Sequence, residues 1–111
     1  MDPIARKAKN YRNAAGKNPF REWIRGIDIG VRNRVNSRFR RIEDFGNYGD
    51  CEPVGDGVYE LKVDTGPGYR VYFGIDGNEI ILLGGGDKGT QASDIRKALE
   101  CREDYNAEAD D

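Results

Sequence analysis

Residues Gly55 to Thr90 read GDGVYELKVDTGPGYRVYFGIDGNEIILLGGGDKGT, and this stretch decides the fold. Side chains alternate from Val58 to Asp64, so Tyr59, Leu61 and Val63 share one face of a strand. The same two-residue period sets Tyr69, Val71 and Phe73 against Arg70 and Tyr72. The run Ile80-Ile81-Leu82-Leu83 has no polar phase, as expected of a strand covered on both faces. Thr65-Gly66-Pro67-Gly68 supplies one reversal. Asp76-Gly77 reads as a type I′ hairpin turn, which needs positive φ at both central residues. The stretch is expected to end in a glycine loop, Gly84 to Gly89, ahead of a helix capped by Thr90.

The flanks supply cover for this sheet. Ala8 to Arg12 can form a short edge strand. Asn18-Pro19 opens a helix, since Asn is a favoured N-cap and Pro lacks only an N–H that would go unused there. Phe20, Trp23, Ile24 and Ile27 make one apolar stripe. Gly26 and Gly30 bracket a break before a second helix, in which Val31, Val35, Phe39 and Ile42 recur at helical spacing and Gly46 is the stop. The pair reads as an αα-hairpin laid on the sheet. Asn47 to Asp56 reads as loop. Ala92, Ile95, Ala98 and Leu99 give the last helix its apolar side, and residues 106–111 read as a disordered acidic tail. The expectation is one α+β domain over residues 1–105.

The totals exclude several functions. With 111 residues the chain can bury a core without staples. Histidine is absent, which removes His-based catalysis and His-ligated metal. Cys51 and Cys101 make no metal pattern, and without a signal-peptide or disulfide framework the reading is reduced thiols in a cytoplasm. No apolar run reaches the roughly 18–20 residues a membrane span needs. The net charge is −2, with 18 basic and 20 acidic residues, but Glu100, Glu103, Asp104, Glu108, Asp110 and Asp111 lie in the tail against Arg102 alone. Five arginines and no acid lie between Asp28 and Glu43, so the body is basic and the tail acidic.

The cations define candidate binding residues. Lys62, Arg70 and Lys88 sit on or just after the strands, and together they would suit a nucleic-acid backbone. Lys62 and Arg70 equally fit solvated charges on an outer face. Tyr72 shares the phase of Arg70 and is the candidate for stacking on a base, whereas Tyr59 and Tyr69 fall on the core phase. The glycine loop can offer amides to a phosphate or simply connect strand to helix. It lacks P-loop spacing, because Gly89 follows Lys88. Arg34, Arg38 and Arg41 line one side of the second helix, either against RNA or an acidic partner or as a solvated face.

The motifs Asn18-Pro19-Phe20-Arg21-Glu22-Trp23, Pro53 to Leu61, Gly66-Pro67-Gly68-Tyr69-Arg70-Val71-Tyr72-Phe73, and Gly85-Gly86-Asp87-Lys88 with Gln91 and Asp94-Ile95 resemble the RelE/HigB-like toxins of bacterial type II toxin–antitoxin systems. The branch of addiction module killer proteins is the most similar, over residues 8 to 105. The resemblance implies a RelE-like fold: an N-terminal αα-hairpin on a small, mostly antiparallel sheet, with a C-terminal helix. It implies a ribosome-dependent endoribonuclease that cuts messenger RNA without metal or other cofactor, and a cognate antitoxin, often a helix-turn-helix DNA-binding protein. Carried over by position, Lys62, Arg70 and Lys88 are the catalytic set. Arg70 would clamp the scissile phosphate, Lys88 and the Gly85 and Gly86 amides would assist, and Lys62 would be the base if its cationic neighbours depress its pKa. Tyr72, Arg34, Arg38 and Arg41 would bind RNA. The tyrosine that some relatives use in the C-terminal helix has no match, and Asp94 lies near that position. Two other outcomes share the fold: a ParE-like topoisomerase inhibitor and a non-catalytic binding module.

Overall fold

The computed structural model describes residues 6–109. It is an α+β fold in three layers, which fits the RelE-like arrangement. Five strands, β1 (Lys7–Asn10), β2 (Cys51–Gly55), β3 (Val58–Val63), β4 (Tyr69–Asp76) and β5 (Glu79–Asp87), form one sheet in the order β1-β5-β4-β3-β2. β1 runs parallel to β5, and every other pairing is antiparallel. Helices α1 (Pro19–Arg25) and α2 (Ile29–Phe45) cover one face, and α3 (Gln91–Ala109) lies on the other.

Local chemistry sets the helix ends. The Asn18 side chain accepts a hydrogen bond from Arg21 N at 3.0 Å, and Pro19 follows as the first helical residue. Asp28, not a glycine, starts α2 by accepting from Gly30 N at 2.9 Å, so Gly30 lies inside the helix. Gly46 closes α2 in the left-handed region at φ 67°. The apolar stripes of both helices meet the strand face read from the sequence: Phe20, Ile24, Val35, Phe39 and Ile42 pack on Leu61, Val63, Val71 and Phe73. Ile80 and Leu82 join this core, while Ile81 and Leu83 turn to the α3 side, as a doubly covered strand requires.

Four expectations are corrected. Residues 51–55, read as loop, form edge strand β2. Its hairpin to β3 turns at Asp56-Gly57, where φ is positive at both residues (43° and 79°), the pattern a type I′ turn demands. The β4–β5 turn instead centres on Gly77-Asn78, with positive φ at Gly77 alone. The glycines after Leu83 are not a loop: β5 runs through Gly84, Gly85 and Gly86 to Asp87. Leu83 is an extra residue in β5, because Tyr72 pairs with Gly84 while Phe73 pairs with Leu82. This bulge shifts the phase of the strand, so Gly84 and Gly86 share the α3 face and Gly85 faces α1. Residues 106–109 continue α3, while 110 and 111 lie outside the described residues.

Candidate active site

The register of the sheet brings the predicted cations to one end of it. Lys62 pairs directly with Arg70, and Arg70 with Gly86, so a row crosses β3, β4 and β5 on the α3 face. Lys88 follows in a short 3-10 turn (Lys88–Thr90), anchored by its N–H to Gly68 O at 3.0 Å. The last turns of α3 sit at the opposite end of β4, where Tyr105 donates to Asp76 at 2.6 Å.

Each cation has its own surroundings. Arg70 is held from below: its Nε lies 3.3 Å from Oε1 of Glu60, a carboxylate that is 1% exposed. The other oxygen of Glu60 accepts from Tyr72 Oη at 3.0 Å and from Gln91 Nε2 at 2.9 Å. One buried carboxylate thus ties β3, β4 and the start of α3, two hydrogen bonds to one oxygen and an ion-pair contact at the other offsetting its burial. Lys62 is half-buried and forms an ion pair with Glu52 of β2. Glu52 stands opposite Glu60 in the β2–β3 register, so Lys62 and Arg70 offset a like-charge pair. Lys88 is exposed, with no carboxylate within ion-pair distance among the described residues.

Several expected roles do not survive these positions. The hydrogen bond to Glu52 raises the Lys62 pKa and lowers that of the carboxylate, so the depressed pKa on which a basic role for Lys62 was made to depend is not found. Tyr72 is fully buried and cannot stack on a base. Its phenol is pushed upward by burial and by the Glu60 carboxylate it bonds. The phase argument placed Tyr72 correctly beside Arg70, but α3 covers that face there. Arg38 is a structural clamp, donating to Lys62 O at 2.6 Å and Tyr48 O at 3.1 Å, whereas Arg34 and Arg41 remain exposed. The glycines are required by packing. A Cβ on Gly85 would enter the Trp23 ring, and one on Gly86 would strike the Asp94 carboxylate. Nor is the turn after β5 an open phosphate cradle, because Gly89 N already donates to Asp87 Oδ1 at 2.8 Å. Thr90 does not cap by accepting: its hydroxyl donates to Asp94 at 2.5 Å.

Beside this row lies a cleft of about 430 Å3 lined by Trp23, Leu83, Gly84, Gly85, Asp94 and Lys97, among others. It wraps the edge of β5 beyond the point where β1 ends. The family model of phage derived Gp49-like proteins (DUF891) matches residues 22–103, a span that holds the whole cation row. The chain belongs to the Gp49-like family. That family is toxin-like and related to addiction module killer proteins. An uncharacterized protein of Haemophilus influenzae (strain ATCC 51907 / DSM 11121 / KW20 / Rd) is 43% identical over 81 residues, covering 71% of this chain and 81% of that protein. The Gp49-like assignment is broader than the RelE/HigB resemblance read from the motifs.

In this Gp49-like chain, sequence reasoning missed Glu60, Glu52 and the role of Gln91. A signal for Glu60 was present. It occupies the same strand phase as Lys62, two residues away, and a carboxylate between Tyr59 and Leu61 in a strand covered on both faces calls for a cation opposite.

Proposed function

We propose that this protein is the toxin of a toxin–antitoxin pair and a ribosome-dependent endoribonuclease that cuts messenger RNA. The observation that carries the reading is the row Lys62, Arg70, Gly86 and Lys88 at one end of the sheet, in a chain of a toxin-like family. Membership of that family implies an antitoxin partner in general; a helix-turn-helix protein is the form proposed here. RNA supplies its own nucleophile. The 2′-oxygen attacks the adjacent phosphorus, the bond from phosphorus to the 5′-oxygen breaks, and the products are a 2′,3′-cyclic phosphate and a 5′-hydroxyl. The proton lost by the 2′-hydroxyl leaves to water, and the 5′-oxygen takes one from water.

The residues contribute placement and charge. Glu60 engages Arg70 through Nε, which leaves both terminal nitrogens of the guanidinium for two phosphate oxygens. Lys88, free of a carboxylate partner among the described residues, adds a mobile positive charge as negative charge builds on the phosphate. Lys62 stays protonated and acts as a fixed charge at the rim. The test is induced expression with mapping of transcript 5′ ends. Arg70→Ala is expected to lower cleavage by about 10²-fold or more, the scale of losing one charge-stabilising donor. Lys62→Ala should cost far less. Full cleavage in both variants removes the site assignment. The partnering of Lys62 and Arg70 by carboxylates favours one rival, a non-catalytic binding module, which predicts no new 5′ ends.

A further inference from the structure

On the far side of α1 from the β5 edge, a second cleft of about 320 Å3 is lined by Arg12, Gly16, Asn18, Arg21, Glu22 and Arg25. The three arginines are exposed, and none lies within ion-pair distance of a carboxylate of the described residues, Glu22 included. Asn18 is the unusual member. It is 5% exposed, and its Nδ2 is buried with no hydrogen-bond partner. The orientation of its amide is fixed, because the oxygen serves as the α1 cap for Arg21 N. The nitrogen must therefore be the end left over. An unpartnered buried donor is costly, and an acceptor seated in the cleft would satisfy it. The loop is preorganised for this: Asn13 Oδ1 accepts from both Ala15 N and Lys17 N at 2.9 Å. Gly16 opens the rim, with φ 81° and nothing near its missing Cβ.

We infer that Arg12, Arg21, Arg25 and the Asn18 amide form a binding site for a phosphate group. The ligand assigned to it is a backbone phosphate of single-stranded RNA. Four planar or forked donor groups around one cavity match a phosphate's tetrahedral acceptors. The RNA assignment rests on the function proposed above; the phosphate chemistry does not. Glu22 lines both this cleft and the one beside Trp23 and Gly85, so the two clefts adjoin at α1, and its carboxylate is the lining group that opposes a phosphate there. Arg12, Asn18 and Arg21 all precede the span matched by the family.

Binding of a 2′-O-methylated RNA 12-mer, which cannot be cut by its own 2′-oxygen, measures the site apart from catalysis. Asn18→Asp keeps the cap acceptor and replaces the free donor with an anionic oxygen, so α1 stays capped while the site loses its fit. Affinity is expected to fall about tenfold in Asn18→Asp and in Arg21→Gln/Arg25→Gln, the scale of a charge-assisted hydrogen bond. The slope of log affinity against log salt should become shallower by about 0.7, one phosphate contact. Unchanged affinity and slope in both variants, each folded by circular dichroism, would overturn the site. Inorganic pyrophosphate, followed by backbone amide shifts at residues 12–25, separates the sources of phosphate. Shifts that vanish in Asn18→Asp, with RNA affinity unaltered, would refute the RNA assignment. If wild type binds the 12-mer through this cleft yet produces no new 5′ ends, the nuclease reading fails and this site stands. If Arg70→Ala abolishes cleavage while Asn18→Asp leaves RNA binding untouched, the reverse holds.

Discussion

The two faces of the sheet are buried by different chemistry. On the α1–α2 side, apolar side chains fill the layer, and a relay of rings crosses it. Tyr59 stacks on Phe73 at 5.5 Å, Phe73 meets Phe39 edge-on at 6.2 Å, Phe39 meets Phe20 at 6.3 Å, and Phe20 meets Trp23 at 6.0 Å. On the α3 side the apolar cluster is small, with Val58, Ile81, Leu83 and Ala98 at its heart. Polar pairs fasten the rest: Glu60 with Arg70, Tyr72 and Gln91 at one end, and Tyr11 with Asp104 and Tyr105 with Asp76 at the other. An oil-like layer needs only volume and shape, whereas a polar layer needs each donor matched to its acceptor. Charged groups can be held in fixed positions only where such matching exists, and that is the face carrying the cation row.

The contrast can be broken most sharply at its two centres. Phe73→Ala in the ring relay should cost about 3–5 kcal/mol in denaturant unfolding, and no single neighbouring change should restore it. Glu60→Leu should cost a similar ~3–5 kcal/mol, because Arg70 is stranded. Adding Arg70→Met should recover most of that loss while leaving cleavage absent. A double variant no more stable than Glu60→Leu would show that the α3 face is held by shape after all. Next in size is Gly85→Ala. Its new methyl must displace Trp23, at about 1–3 kcal/mol. Because Trp23 is the only tryptophan, its emission should shift as well, and an unmoved spectrum would contradict the packing. Tyr72→Phe removes one of the donors to Glu60 and should cost about 1 kcal/mol.

Alkali should separate the faces more gently. Burial pushes the Cys51 thiol from 9.0 up to about 11 and also raises Cys101. Tyr11 and Tyr72 on the α3 side are raised by burial and by the carboxylates they bond. These groups ionise earlier in the unfolded chain than in the folded one. Their contribution to stability is complete below about pH 9 and declines as pH rises toward 11. A melting temperature that held constant from pH 8 to 11 would contradict this. Smallest of all, Lys62→Ala should lower stability in denaturant unfolding by less than Tyr72→Phe does, since its pair with Glu52 is partly exposed and Arg70 still faces Glu60.

What the sequence disclosed follows the same division. The apolar face was legible, because period-two strands and 3.6-residue stripes write themselves into the order of residues. Leu61, Val71, Phe73, Val35 and Phe39 all fell where the alternation put them. The α3 face was legible only in its apolar part, where Ile95, Ala98 and Leu99 pack as their stripe required; its polar organisation was not, because it depends on partners far apart in the chain. Glu60 and Gln91 are 31 positions apart, and nothing local announces their bond at 2.9 Å. β2 was hidden for a related reason: Cys51-Glu52-Pro53-Val54-Gly55 has the composition of a loop, and only pairing with β3 makes it a strand. Lys62, Arg70 and Lys88 were picked out by type and spacing, but Glu52 and Glu60, the partners of Lys62 and Arg70, were not foreseen, and the Lys62 pKa is raised where a basic role was read to need it lowered.

The extra residue at Leu83 has a consequence for which changes of length β5 can absorb. Three glycines in succession make β5 indifferent to its own rotation: whichever of them turns toward Trp23, only a hydrogen lies beneath the indole. That indifference ends at Gly86: deleting a glycine would move Asp87 into its place, where a Cβ meets the Asp94 carboxylate. Deleting Leu83 itself would leave Gly84 opposite Tyr72 and Lys88 where it stands, at the loss of one buried side chain.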